Sequence, residues 1–446
     1  MSALRPLRVL PNALVLIAVL VGAPLAAAQT SVEPFAQDGL PDLRLFIHST
    51  DLARLRERYL ENTYYPADVE FRGVRVRNVA VRSRGSGSRS QTKLGLRIDM
   101  NRYTSGHELF GLRAVVLDNL WQDPTNVRER LAMRLYERLG MAAPREVLAR
   151  VYINNAYEGL YTVVEDIDER FAARAFDDGG GTLFEYNWLA NWYATSMGPD
   201  LAPYQALFSA QTNDELPADT LFGPLRDLFT ASDLSGDEWR ARVEPLLDLQ
   251  QLLAHVAVEA FVSELDGMLG YAGVNNFYMF RPTDSLRHVV VPWDKDNAFF
   301  DVTSSVWQRV DENAIVRQAL SFPDLRARYL DALTRTVDAA SEDGWLAAEL
   351  ESMLALVDDA AREDQRKPFP ESERAAAIAQ LRQFVADARK SQRPVVKAGR
   401  CSGGRRRSRP RRSVSPCSPA PPPVRGRRRR PAPQRLPHQP LRTFCR

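Results

Sequence analysis

Residues 276–296 read Asn-Phe-Tyr-Met-Phe-Arg-Pro-Thr-Asp-Ser-Leu-Arg-His-Val-Val-Val-Pro-Trp-Asp-Lys-Asp. Two short apolar runs, Asn276 to Phe280 and His288 to Pro292, flank a Pro/Asp/Ser turn, and that pattern predicts a hairpin. The second run leads into Trp293-Asp294-Lys295-Asp296. On both sides of this pair the apolar spacing is helical, over Leu246 to Leu265, Leu325 to Ala340, Trp345 to Glu363 and Glu371 to Lys390. Residues 175–225 read as a long loop. Upstream the pattern changes to strands: Val69 to Phe71, Val74 to Val81, Leu94 to Met100, then a hairpin from Val147 to Ile153 and Gly159 to Glu165 around Asn154-Asn155. One amphipathic helix crosses this part, capped at Asp123-Pro124, carrying Val127, Leu131, Leu135 and Leu139, and ending at Gly140. The expected fold is α+β, a strand-rich lobe over residues 42–165 followed by a helix-rich lobe over 166–396.

The chain has 446 residues and a formal net charge of +3, from 59 Lys+Arg and 56 Asp+Glu. That balance conceals two populations. Residues 397–446 hold 16 basic and no acidic groups, and the first 28 hold two Arg; residues 29–396 keep 41 basic and 56 acidic groups, a net of −15. An acidic body argues against nucleic acid as its partner. Cys401, Cys417 and Cys445 all lie in the basic tail, so the body offers neither a disulfide framework nor a cysteine nucleophile. The start combines Arg5 and Arg8, the apolar run Ala13 to Val21 and Ala26-Ala27-Ala28, as a cleaved export signal does (1–28), with 29–41 as a linker. No later segment is apolar for long enough to span a bilayer. The Arg/Pro/Ser-rich tail is expected to be disordered, serving either polyanion binding or no function.

Asp266-Gly267 ends an apolar helix, Asn275-Asn276 opens a strand, and Asp294 and Asp296 close its return. Oxygen ligands on the ends of rigid elements suit Mg²⁺ or Mn²⁺ beside a nucleotide; the same residues also suit caps and solvated turns. Arg84-Gly85-Ser86-Gly87-Ser88 lies between strands, either a phosphate-wrapping loop or a plain polar hairpin. His48, His107, His255 and His288 lack metal-ligand spacing, and neither GxSxG nor HExxH occurs. Trp188, Trp192 and Tyr204 either form a lid or pack as a satellite of the core.

Taken in order, Arg82-Ser83-Arg84-Gly85-Ser86-Gly87-Ser88 with Lys93, Leu117-Asp118-Asn119, Asp123, Val127-Arg128-Glu129, Tyr152-Ile153-Asn154-Asn155-Ala156-Tyr157-Glu158-Gly159-Leu160-Tyr161, Glu165-Asp166-Ile167-Asp168 and the acidic cluster form a recognisable series. Over roughly Leu43 to Asp301 the chain resembles the CotH family of atypical, secreted or surface-associated protein kinases. The resemblance implies a divergent bilobal kinase-like fold holding ATP between the lobes. Asp266 then matches the catalytic Asp that receives the acceptor hydroxyl, Asp294 the metal-binding Asp, Asn276 the catalytic-loop Asn, and Asp296 the second Asp of Trp-Asp-x-Asp. Lys93 would reach the α/β-phosphates with Glu129 as its ion-pair partner, Arg84 is the competing phosphate contact, and Glu165 begins the hinge that meets adenine. The implied activity is phosphoryl transfer to Ser or Thr of a secreted or surface protein. The alternative is a catalytically silent envelope protein on the same fold. The sequence departs from the family after Trp-Asp-x-Asp, where Asn297-Ala298-Phe299-Phe300-Asp301 replaces a small residue and an aromatic-Gly pair.

Overall fold

The computed structural model describes residues 33–401. The export signal and most of the basic tail, with Cys417 and Cys445, lie outside the described residues. The first part of the chain runs β1 (Asp42–Ile47), α1 (Ser49–Glu57), β2 (Tyr65–Phe71), β3 (Val74–Ser83), β4 (Leu96–Asp99), β5 (Ala114–Asp118), α2 (Arg128–Arg138), β6 (Glu146–Ile153) and β7 (Ala156–Glu165). The strands close into a barrel in the order β1-β2-β3-β4-β5-β7-β6, with β1 and β6 parallel at the closure. Period-two alternation does this: Leu43, Leu45 and Ile47 of β1 point inward with Val79, Val81, Leu117, Val151 and Val163, all buried in one apolar cluster. Strands β6 and β7 are buried on both faces, because their outer side chains, Leu148 and Leu160, join the core of the helical part.

That second part runs α3 (Glu169–Phe176), β8 (Thr182–Tyr186), α4 (Ala202–Leu207), β9 (Phe208–Ala210), α5 (Ala218–Thr230), α6 (Gly236–Val243), α7 (Leu249–Val262), β10 (Phe277–Arg281), β11 (Val289–Pro292), α8 (Ala314–Ser321), α9 (Pro323–Ser341), α10 (Trp345–Glu363) and α11 (Glu371–Cys401). The expected α+β arrangement is present. The expected hairpin is one half of a four-stranded sheet ordered β11-β10-β8-β9, so residues 175–225 are not a long loop. Strands of five and three residues are too short to show a period. Trp192 and Tyr204 belong to the core, while Trp188 remains half-exposed.

Residues 33–41 do not hang free as a linker. Phe35 is buried with the barrel core, and the Gln37 side chain exchanges hydrogen bonds with the backbone of Leu148 at 2.9 and 3.2 Å. Helix α2 starts later than expected, at Arg128, with Val127 rather than Asp123 as its N-cap; Asp123 Oδ2 still accepts from Arg128 N at 2.8 Å.

Candidate active site

Helix α7 stops at a left-handed Ser263, φ 53°, and the chain loops from Glu264 to Asn276 before entering β10. Within that loop Asp266 Oδ2 accepts from the side-chain amides of Asn275 at 3.0 Å and Asn276 at 3.1 Å. The hairpin register pairs Phe277 with Pro292, and Trp293 N donates to Asn276 O at 3.3 Å. Asp294 is therefore delivered beside Asn276, and through it beside Asp266. Asn276 and Asp294 both sit at positive φ, 55° and 50°. Asn and Asp tolerate that region better than most residues, and a cluster of such backbone often marks a functional turn.

Under this turn lies a fully buried ion pair. Lys295 Nζ donates to Glu259 Oε1 at 2.8 Å and to Asn276 O at 2.9 Å. Glu259 comes from α7; its Oε2 accepts from Met268 N at 2.8 Å, and its Oε1 also meets His255 Nε2 at 2.9 Å. A Cβ on Gly267 would stand 2.3 Å from Glu259 Oε1, so the loop passes the carboxylate only because residue 267 is glycine. One pair thus ties α7, both limbs of the Asp266 loop and the Trp-Asp-Lys-Asp segment together. Burial pushes the Glu259 carboxyl up, but Lys295 and His255 outweigh it and hold it down at about 2. On Lys295 burial works against the charge, and Glu259 with Glu264 more than restores it.

The crevice above is crowded with carboxylates. Burial raises Asp266, and the Asn275 and Asn276 amides oppose the shift. Burial also raises Asp294, with Arg84 opposing and Asp266 adding to the rise. Asp118, at the end of β5, is pushed up to about 6 by burial and by Asp294. Asp296 is raised well above its ordinary range by burial and then by Asp294; its Oδ1 accepts from Asn297 Nδ2 at 2.7 Å. The Arg84 guanidinium lies 4.7 Å over the Trp293 ring and 3.7 Å from Glu185, with part of its side chain exposed. The donor set of Asn276, Asp294 and Asp296 is all oxygen, the chemistry hard divalent cations prefer. Among the described residues no three His, Cys, Asp or Glu side chains are already gathered as a metal cage.

Three expected site residues are engaged elsewhere. Lys93 is fully buried, and its Nζ donates to Asp364 Oδ2 at 2.7 Å and to Leu160 O at 2.8 Å, so it does not pair with Glu129. Asp364, just past α10, also accepts from Leu160 N, and a Cβ on Gly159 would stand 2.4 Å from its Oδ2. Lys93 fastens the barrel to the last helices. Glu129 is buried near Glu146, and each is raised by burial first; Glu146 reaches about 8. Glu165 is buried under the guanidinium groups of Arg145 and Arg174, at 2.8 and 2.6 Å, and its N donates to Arg145 O. The replacement of glycine after Trp-Asp-x-Asp also has an answer. Phe299 takes a left-handed φ of 63°, fully buried and edge-on to Phe384 of α11 at 5.4 Å. Of the histidines, His48 caps α1, while His255 and His288 are buried structural groups.

Asp118 and Lys295 stand inside motifs read from the sequence but carried no role there, and Glu259 was not noted. Glu259 did leave a signal, a lone acid inside a helix apolar on every side, where a charge must be buried and paired.

Fold and crevice together define an α+β protein with a barrel, a helical part and a carboxylate-lined site braced by a buried lysine. A family description, "CotH kinase protein", matches residues 81–391, most of the chain, and the chain belongs to that family. The inner spore coat protein H of Bacillus subtilis is 25% identical over 267 residues, covering 58% of this chain and 69% of that protein. The invasin CotH3 of Rhizopus delemar is 23% identical over 271 residues, 53% of this chain and 42% of that one; for the invasin CotH2 of the same organism the figures are 25%, 48% and 35%. The chain thus spans less than half of either invasin. A solved Helicobacter pylori proinflammatory kinase, CtkA, aligns over 72% of this chain and 94% of its own at 10% identity and a TM-score of 0.33, a likeness too slight to bear on the site.

Proposed function

We propose that the chain is an exported protein kinase that transfers the γ-phosphoryl group of ATP to a Ser or Thr of a secreted or surface protein. The observation that carries this reading is the joining of Asp266, Asn276 and Asp294 in one crevice, by two amide–carboxylate hydrogen bonds and one hairpin register. Asp266 would orient the acceptor hydroxyl and take its proton; a carboxyl raised by burial is a better proton acceptor than a solvated one. As the hydroxyl oxygen bonds to the γ-phosphorus, the bond from that phosphorus to the β–γ bridging oxygen breaks and ADP leaves. Mg²⁺ or Mn²⁺, held by Asp294 with Asn276 and Asp296, would supply the positive charge that shields the phosphates. Since Lys93 is committed to Asp364, Arg84 is the cation left to meet the phosphates, steadied on Trp293 beside Asp294. Export rests on the N-terminal signal, and a spore coat protein and an invasin among its relatives accord with it. No helix among the described residues is long and apolar enough to cross a membrane.

A silent envelope-binding protein is the second reading, and the withdrawal of Lys93 from the crevice favours it. Labelled phosphate transfer from ATP with Mg²⁺ or Mn²⁺, to the protein itself and to a generic acceptor, separates the two. Asp266→Ala and Asp294→Ala should each lower transfer by about 10²-fold or more. Equal labelling by wild type and both variants rejects the kinase reading. A nucleotide-dependent rise in Tm reports binding separately from transfer.

A further inference from the structure

The large apolar side chains exposed among the described residues are not scattered evenly. Trp188, Leu189 and Met197 lie on the loop after β8, at 44%, 60% and 39% exposure, and Tyr271, at 60%, lies on the Asp266 loop. The two loops are sewn together: Trp188 Nε1 donates to Ala272 O at 3.2 Å, and Val274 N donates to Trp192 O at 2.8 Å. Tyr271 N in turn donates to Leu265 O at 3.0 Å, which sets Tyr271 next to the backbone that carries Asp266. Arg309 borders the ledge, its Nη1 donating to Gly270 O at 3.3 Å and its guanidinium 6.0 Å from the Tyr271 ring. The ledge is held in place by backbone hydrogen bonds, and the polar atom of Trp188 is already spent on it.

Exposed Trp and Tyr on a rigid support are the residues that most often anchor a protein partner. A chain that brings a hydroxyl to Asp266 comes to the loop that also carries Tyr271, whose N is bonded to Leu265 O beside Asp266. We infer that Trp188, Leu189 and Tyr271 form the acceptor-docking surface, and that the occupant is an extended polypeptide with an aromatic or branched aliphatic side chain close to its Ser or Thr. This inference rests on the kinase reading for the placement of the acceptor, but not for the binding itself.

The test is capture of a combinatorial peptide library, with serine fixed at the centre and the flanking positions random, by the full chain. Wild type should enrich aromatic and aliphatic residues near the serine. Tyr271→Ser combined with Leu189→Ser should lose that enrichment and raise the acceptor KM about tenfold. Its nucleotide-induced Tm shift should be unchanged, and Leu286→Ser, an equally exposed site elsewhere, should match wild type. Capture needs no catalysis, so enrichment without transfer keeps the docking surface while rejecting the kinase reading. Three outcomes overturn the inference: no apolar enrichment by wild type, the same enrichment by the double variant, or a dimer in sedimentation that the double variant abolishes.

Discussion

Among the described residues two lysines, Lys93 and Lys295, are wholly buried, and their surroundings treat them in opposite ways. Lys93 has Asp364 as its carboxylate partner, and burial wins, leaving its ammonium less strongly protonated than in water. Lys295 has Glu259 at 2.8 Å with Glu264 and Asp266 close behind, and the carboxylates win. The first joins two parts of the fold far apart in sequence. The second sits under the turn that carries Asp266 and Asn276, where its charge helps keep several acids together. Three carboxylates act on each, Asp364, Asp118 and Glu158 on Lys93 and Glu259, Glu264 and Asp266 on Lys295, and what differs is whether burial or the acids prevail.

The comparison breaks first at Lys295. Lys295→Met leaves Glu259 buried without its ammonium, and removing one partner of such a pair costs about 3–5 kcal/mol. Because the same Nζ holds Asn276 O, phosphate transfer should fall with stability, and urea melts beside transfer assays would show both. A variant as stable as wild type would mean that His255 alone satisfies Glu259.

Lys93→Met should also destabilise, by a similar or smaller amount, but here the loss should be repairable. Lys93→Met with Asp364→Leu removes both charges together, and exchanging a buried pair for apolar groups is often close to neutral. The double variant should recover part of the stability, the rest being lost with the acceptor of Leu160 N, and keep the nucleotide-induced Tm shift, whereas Arg84→Met should keep stability and lose much of that shift. The opposite pattern would return the phosphates to Lys93.

The limits of reading this chain from its residues follow from the same pair. The 276–296 hairpin was legible because both strands and the turn lie within one short window, and its register sets Asp294 beside Asn276. Lys93 was misplaced because its partner lies 271 residues away, beyond any local spacing rule. Glu129, the partner the family resemblance implied for Lys93, instead lies where α2 turns toward Glu146, itself an acid. The barrel was half visible: alternation marked β3 and β4, but closure depends on β1 pairing with β6 across some hundred residues. Strands β8 and β9 carried no period to read.

Glu146 presents the reverse of a buried lysine: a buried carboxyl whose two oxygens have no hydrogen-bond partner within the protein. Burial, opposed by Arg130, pushes it up to about 8, and Glu264 likewise. In the unfolded chain a Glu titrates near 4.3. Between about 4.3 and 8 the folded protein therefore holds protons that the unfolded chain has released, so stability from these groups is present at the acid end and lost as pH rises. Glu259, held near 2, acts in the opposite sense, but only below the ordinary carboxylate range. Tm should decline from pH 5 toward pH 8.5, a window whose upper end is set by Glu146 and Glu264 and to whose lower part Asp118, pushed up to about 6, adds. Glu146→Gln keeps the shape without the proton, so it should flatten part of that decline and raise Tm at pH 8 by about 2–4 °C. An unchanged slope would mean that Glu146 is already ionised in the fold, with Arg130 serving it as Lys295 serves Glu259.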